Sequence, residues 1–203
     1  MDCSTSLEQI ISRCLEKGIN CVAIADHGTA EGALKMRELA PFPVIVAEEI
    51  LTPYGEIMGM FLKESISSGL SAEETISRIR AQGGLVCIPH PFDTFRQSAI
   101  KGRIIDELAE QIDVIEVFNA RIIFNRDAVK ARNFAQKHGI PGSAGSDAHT
   151  LQEIGNAYVE MPEFDGRDDF LPALAQGRVI GRRTSPLVHF SSTWARLKNI
   201  NRR

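Results

Sequence analysis

An aspartate and a histidine stand two positions apart in Ser143-Ala144-Gly145-Ser146-Asp147-Ala148-His149-Thr150. If they end a strand, the two-residue period puts both side chains on one face. Carboxylate and neutral imidazole both bind divalent metals, so the pair suits a shared metal site. Other residues of the same types recur at the ends of other apolar runs: Asp26-His27 after residues 20–25, His90 after 85–89, and Asn119-Ala120-Arg121 after 114–118. Glu48-Glu49 interrupts the run 44–50, and Glu116 interrupts 114–118. Charge inside a buried strand is expensive unless it is paired, metal-bound or at the strand's end. Adjacent glutamates point to opposite faces of a strand, so one of Glu48 and Glu49 looks into a site and the other outward. Pro91 biases His90 toward an extended backbone, which would hold the imidazole at the strand end.

Each residue alone has a plain structural reading. Asp26 could cap a helix, His90 could be structural, Glu116 could pair with a cation on an outer face, and His138 sits where a helix dipole favours a cation. Together they point to a polynuclear metal site. No G-x-S-x-G, P-loop or G-x-G-x-x-G occurs, so serine-nucleophile, Walker-type and dinucleotide chemistries lack their signatures. Gly142-Ser143-Ala144-Gly145 reads as letting backbone approach the metal centre.

The elements that must position these groups alternate almost throughout. Ser4 or Thr5 caps a helix to about Glu16, stopped by Gly18. A buried strand over 20–25 follows, then a helix capped by Thr29 and broken at Pro41-Phe42-Pro43. Strand 44–50 turns at Thr52-Pro53-Tyr54-Gly55 into a return strand over 56–62. Ser71 caps a helix to Gln82, with Glu74 at its third position. Strand 85–89, a helix through Ile104, Ile105 and Leu108, strand 114–118 and helix 127–138 come next. After the Asp147 stretch stand a strand over 158–161, a helix over 168–176 and a strand over 178–180. This order predicts an α/β fold with a mostly parallel sheet, whose functional groups gather at the carboxyl ends of the strands.

A chain of 203 residues with 43% hydrophobic residues holds one full core, and the net charge of −3 gives no global electrostatic reason to expect nucleic acid or an acidic membrane. The four cysteines form no C-x-x-C pair, and Cys14, Cys21 and Cys87, in apolar segments, read as reduced core or helix residues of a cytoplasmic protein. No apolar run reaches the roughly 18 residues of a membrane span. Residues 184–203 form a basic tail with the only tryptophan, Trp194.

The ordered set Ile24-Ala25-Asp26-His27-Gly28-Thr29, Ala47-Glu48-Glu49, Ile88-Pro89-His90-Pro91-Phe92-Asp93, Ile115 to Arg121 and Gly145-Ser146-Asp147-Ala148-His149 resembles the PHP family, the polymerase and histidinol phosphatase domain. The resemblance runs over residues 1–183 and is nearest to short, stand-alone members. It implies a distorted (β/α)7 barrel with up to three divalent metal ions, zinc, manganese or iron, at its mouth. Such proteins open with a strand carrying H-x-H and then S-x-D. Here only Asp2 stands where that aspartate would be, so the first strand and its histidines are expected upstream of Met1. Carried over by position, Asp147 and a bridging Glu49 would hold the first metal and Glu49, His90 and Glu56 the second, with Glu56 in place of a family histidine. Asp2, His27 and His149 would hold the third.

The implied activity is hydrolysis of a small phosphomonoester or a nucleotide-type phosphoester by a metal-bound hydroxide, with Asp147, His149 and His90 as the catalytic set. Arg121, Arg96 and Arg182 are candidates to clamp the phosphate, and Asn119 to donate to substrate or to position a ligand. The alternative is a catalytically silent metal-binding or interaction module of the same fold. An unpaired strand edge with exposed apolar surface leads to an expectation of self-association.

Overall fold

The computed structural model describes residues 5–184, so Asp2, the Ser4 cap and the tail beyond Thr184 lie outside the described residues. The first helix, α1 (Leu7–Lys17), is capped by Ser6 rather than by Ser4 or Thr5. Ser6 Oγ accepts from Gln9 N while Gln9 Oε1 accepts from Ser6 N, a reciprocal capping box one residue along from the equally spaced Thr5 and Glu8. Gly18 ends α1 in the left-handed conformation. Next come β1 (Val22–His27), α2 (Glu31–Leu39), β2 (Val44–Thr52), β3 (Gly55–Met60), α3 (Ala72–Ala81) and β4 (Leu85–Ile88). The second half holds α4 (Arg103–Glu107), β5 (Val114–Asn119), α5 (Asn125–His138), β6 (Gly142–Gly145), β7 (Ala157–Glu160), α6 (Arg167–Ala175) and β8 (Arg178–Gly181).

Six strands form one curled sheet in sequence order, β1 to β6. The pairs β1–β2, β4–β5 and β5–β6 are parallel, whereas β3 pairs antiparallel with both β2 and β4. The sheet is a curled half-barrel of six strands, mostly parallel as expected, with β3 as its antiparallel member. The antiparallel step follows from the two-residue turn at Pro53-Tyr54, too short for a crossover. Strands β7 and β8 pair only with each other in the described residues.

Alternation sorts the side chains. One face carries Val46, Ile50, Ile57, Val86, Ile88 and Ile115, packed under Ala33 of α2, Ile76 and Ile79 of α3, and Phe134 of α5. The inner face carries Ile45, Ala47, Met60, Leu85, Cys87 and Val114, closed at one end by Phe170 and Leu174 of α6. Fully burying each large aliphatic side chain contributes about 1.5–3 kcal/mol. The open end of that inner face is where the polar residues stand. Among the described residues no helix is long and apolar enough to cross a membrane.

Candidate metal centre

Register brings the first three groups together. His27, the last residue of β1, pairs with Glu49 of β2. On the antiparallel side Leu51 pairs with Glu56, so Glu49 and Glu56 lie diagonally on one face. His27 Nδ1 is 3.2 Å from Glu49 Oε2 and 3.1 Å from Glu56 Oε1. Candidate ligand atoms of these three residues lie within 4.8 Å of one another. His90, from the loop after β4, completes a ring: its Nε2 is 3.7 Å from Glu49 Oε1 and 3.4 Å from Glu56 Oε2. Glu48 points the other way, fully buried, with Oε2 accepting from Ile66 N.

His90 does not take the extended backbone expected before a proline. Its φ is +33°, in the left-handed region. Pro91 excludes the right-handed helical region but not this one. The turn lets the imidazole reach Glu49 and Glu56 while His90 N donates to Glu116 Oε2 at 2.6 Å. Those tertiary bonds offset a local strain of order 1–3 kcal/mol.

The ring fits a divalent cation. Both ring nitrogens of His90 and Glu56 Oε2 are buried without a hydrogen-bond partner, a costly state that a bound ion relieves. Two imidazoles and two carboxylates form a mixed nitrogen and oxygen donor set of the kind zinc, manganese and iron accept. Burial raises the Glu56 carboxyl, but hydrogen bonds from His27 and Ser98 and the neighbouring imidazoles outweigh it and hold Glu56 below the usual range. Burial likewise works against the His90 imidazolium, yet the facing Glu49 carboxylate and the charge of Glu116 leave its pKa raised.

A second cluster abuts the first. Glu116, on the inner face of β5, is buried, and burial pushes its carboxyl up to about 7 despite bonds from His90 N and Asn119. Asn119 Nδ2 donates to Glu116 Oε2 at 3.1 Å and to Asp147 Oδ2 at 3.3 Å, and its Oδ1 accepts from Arg121 N. Both amide hydrogens are thus directed at carboxylates, the ligand-positioning role expected as one of its two alternatives. Arg96 donates to Asp147 Oδ2 in a tight ion pair. Burial raises the Asp147 carboxyl, but Arg96 first, with His90, His149 and Arg121, draws it below the usual carboxylate range. Gly145 leaves room for this cluster, because a Cβ there would collide with Glu116 Oε1.

Asp147 and His149 are not strand residues. β6 ends at Gly145, and Asp147 has a φ of +46°. A turn, not strand alternation, brings them together: His149 Nδ1 lies 3.0 Å from Asp147 O and 3.5 Å from Asp147 Oδ1. Glu153 fixes this turn, with Oε2 accepting from His149 N and Thr150 Oγ1, both at 3.0 Å. Its Oε1 holds Arg121 Nη1 at 2.9 Å in a buried ion pair. Arg182 is bound to Asn156, through its backbone N at 2.8 Å and its Nε at 3.1 Å.

The ligands expected for the second metal, Glu49, Glu56 and His90, stand together, and Asp2, expected for the third, lies outside the described residues. His27 joins Glu49 and Glu56, because the β1–β2 register fixes it there, while His149 goes with Asp147. Glu49 lies between His27 and His90, and Asp147 faces Arg96. Glu116 and Glu153 are members of the site that sequence reasoning did not select. Glu116 carried a signal, a lone acid inside an apolar strand, whereas Glu153 sits in an unpatterned loop and carried none.

Comparison with known proteins places this architecture. A family model described as PHP-associated matches residues 125–179. The uncharacterized protein MJ0417 of Methanocaldococcus jannaschii is 36% identical over 176 residues, which is 84% of this chain and 70% of that protein. A second from the same organism, MJ1587, is 43% identical over 117 residues, 56% of this chain and 64% of its own length. Among solved structures, a two-domain protein from Bacteroides vulgatus containing a predicted PHP-like metal-dependent phosphoesterase superposes with a TM-score of 0.73 at 14% identity. The match covers 89% of this chain and 61% of that one.

Proposed function

Because this chain belongs to the PHP family, we propose that it is a metal-dependent phosphoesterase acting on a small phosphomonoester or a nucleotide-type phosphoester. The observation that carries the reading is the ring of His27, Glu49, His90 and Glu56, with the unpartnered buried atoms of His90 and Glu56 facing one another at the open end of the sheet. Those four residues would hold the cation. When bound, a divalent cation supplies Lewis acidity, activates water and neutralises charge on phosphate oxygens.

The chain's own residues do the rest. Arg96, partly exposed beside Asp147, presents a planar fork to a phosphate dianion. Arg121, locked to Glu153, contributes a fixed positive charge near Asp147. Asn119 keeps Glu116 and Asp147 apart and oriented. With a proton on Nδ1 donated to Asp147 O, His149 keeps Nε2 as its basic nitrogen, suited to accept or return a proton at the leaving oxygen.

The test is an assay of the chain with manganese, zinc or iron(II) on a generic phosphomonoester, beside His90→Asn and Glu49→Gln, with metal content measured in parallel. Metal-stimulated turnover lost in both variants is the expected result. A second reading, a metal-binding module without turnover, is favoured by the hold of Arg96 on Asp147. Stoichiometric metal uptake with no hydrolysis of any phosphoester would select it and overturn the first.

A further inference from the structure

Two phenylalanines stand exposed side by side in the segments that follow β4 and β5. Phe95 is 61% exposed and Phe124 37%, and their rings lie 5.3 Å apart at 32°. Single exposed apolar side chains are ordinary, whereas adjoining exposed rings form a contiguous apolar patch of the kind that marks binding sites. The pair is also held rigidly. The carboxylate of Asp127, fully buried, accepts from Thr94 N at 3.0 Å, while Asp127 N donates to Phe124 O at 3.1 Å. One residue of α5 thereby ties the loop that carries Phe95 to the one that carries Phe124. Asp93 Oδ1 accepts from Phe95 N and Arg96 N, fixing the same loop from its other end.

The pair is joined to the reacting region through the chain. Phe95 is the neighbour of Arg96, whose guanidinium holds Asp147, and consecutive Cα atoms are only about 3.8 Å apart. Phe124 follows the segment that positions Asn119 and Arg121. Cations frame the rings: Arg126 Cζ lies 4.5 Å from the centre of Phe124, and Lys101 Nζ donates to the carbonyls of Asp93 and Arg96. Flat apolar rings bordered by fixed positive charge match a planar ring that is itself attached to a phosphate.

We propose that Phe95 and Phe124, with Arg126, form an aromatic subsite that stacks a planar ring carried by the substrate, its phosphate directed toward Arg96. The proposal rests on the phosphoesterase reading for the phosphate end only. Nucleobases and simple aryl groups share this chemistry, so the probes separate them.

Calorimetry on the chelator-treated full chain, where no turnover occurs, compares ribose 5-phosphate, adenosine 5′-monophosphate, adenosine, glycerol phosphate and phenyl phosphate. Adenosine 5′-monophosphate should bind about tenfold or more tightly than ribose 5-phosphate, since a stacked base adds roughly one to two orders of magnitude. Phe95→Ala and Phe124→Ala should erase that margin and leave ribose 5-phosphate binding unchanged, while Phe95→Trp keeps it. A margin for phenyl phosphate over glycerol phosphate, without one for the nucleotide, would assign an aryl group to the same subsite. Equal binding with and without a ring, or a margin that survives Phe95→Ala, would overturn the subsite. Two results keep the claims apart. Adenosine binding lost in Phe95→Ala, with no phosphoester hydrolysed under manganese, sustains the subsite and sinks the phosphoesterase reading. Equal hydrolysis of ring-bearing and ring-free esters in both wild type and Phe95→Ala does the reverse.

Discussion

Gly145→Ala is the most pointed test of how the second cluster is packed. The position is in the β region, so alanine brings no backbone penalty, and the whole effect comes from its Cβ. That atom would collide with Glu116 Oε1, well inside the 3.0 Å below which something must move. Glu116 cannot swing away freely, because its other oxygen accepts from His90 N at 2.6 Å and Asn119 Nδ2 at 3.1 Å. Overpacking of this kind costs about 1–3 kcal/mol, and weakening one bond to a charged acceptor adds roughly 1 kcal/mol more. A total of about 2–4 kcal/mol lowers Tm by roughly 4–16 °C for a domain of this size. Thermal melts of the metal-free chain, followed by circular dichroism, measure it. Glu116→Asp withdraws the carboxylate by one methylene and removes the collision. Gly145→Ala should therefore cost less than about 1 kcal/mol in that background. Additive costs in the double mutant would show that the two positions do not press on each other, and the packing argument would fall.

Four further outcomes follow from the same geometry. Glu56→Gln should weaken binding of manganese or zinc roughly tenfold or more by calorimetry, since it removes a ring carboxylate while keeping the volume. Glu153→Ala removes the carboxylate that holds Arg121 Nη1, His149 N and Thr150 Oγ1 and should cost about 2–4 kcal/mol by urea titration, whereas Glu153→Gln, which still accepts, should cost less. Glu116 has a folded-state pKa raised to about 7 from 4.5, so its contribution is full below about pH 4.5 and is lost as pH rises through 7. The metal-free wild type should then lose up to about 3 kcal/mol over that window relative to Glu116→Gln, and parallel curves would refute the assignment. Ile79→Ala, under the sheet on the helical side, should cost about 2–5 kcal/mol in chemical denaturation without altering metal affinity.

How much of this was legible in the sequence depends on how local each feature is. The hairpin, Ser71 capping α3 and the opposed faces of Glu48 and Glu49 are set by neighbours in the chain, and the structure has them as expected. The helix start at Ser6 instead of Thr5 is a choice between two equal spacings, Ser6 to Gln9 and Thr5 to Glu8, which local pattern does not decide. Asp147 and His149 meet for a different reason than strand alternation, because the strand stops at Gly145 and a turn pinned by Glu153 takes over. The left-handed turn at His90 was not readable, since three partners from other strands hold it. The departure of β7 and β8 from the main sheet is likewise a tertiary outcome that local pattern does not encode. Asp2 and the basic tail, including Trp194, fall outside the described residues. Self-association remains a proposal for the outer edge of β1, which has no partner strand among the described residues, and sedimentation of the chain would detect it.

The β2–β3 hairpin sets a length standard for the centre. Glu49 and Glu56 supply half of the ring, and their diagonal placement exists only because Thr52 is matched to Gly55 across a two-residue tip. Thr52 Oγ1 locks that tip, donating to Gly55 O at 2.7 Å and accepting from Tyr54 N at 3.2 Å. One residue added to or removed from the tip would shift β3 by one position and turn Glu56 to the helical side of the sheet. At Pro53 and Tyr54 the identity of the residues is open to exchange, but their number is a dimension of the metal centre.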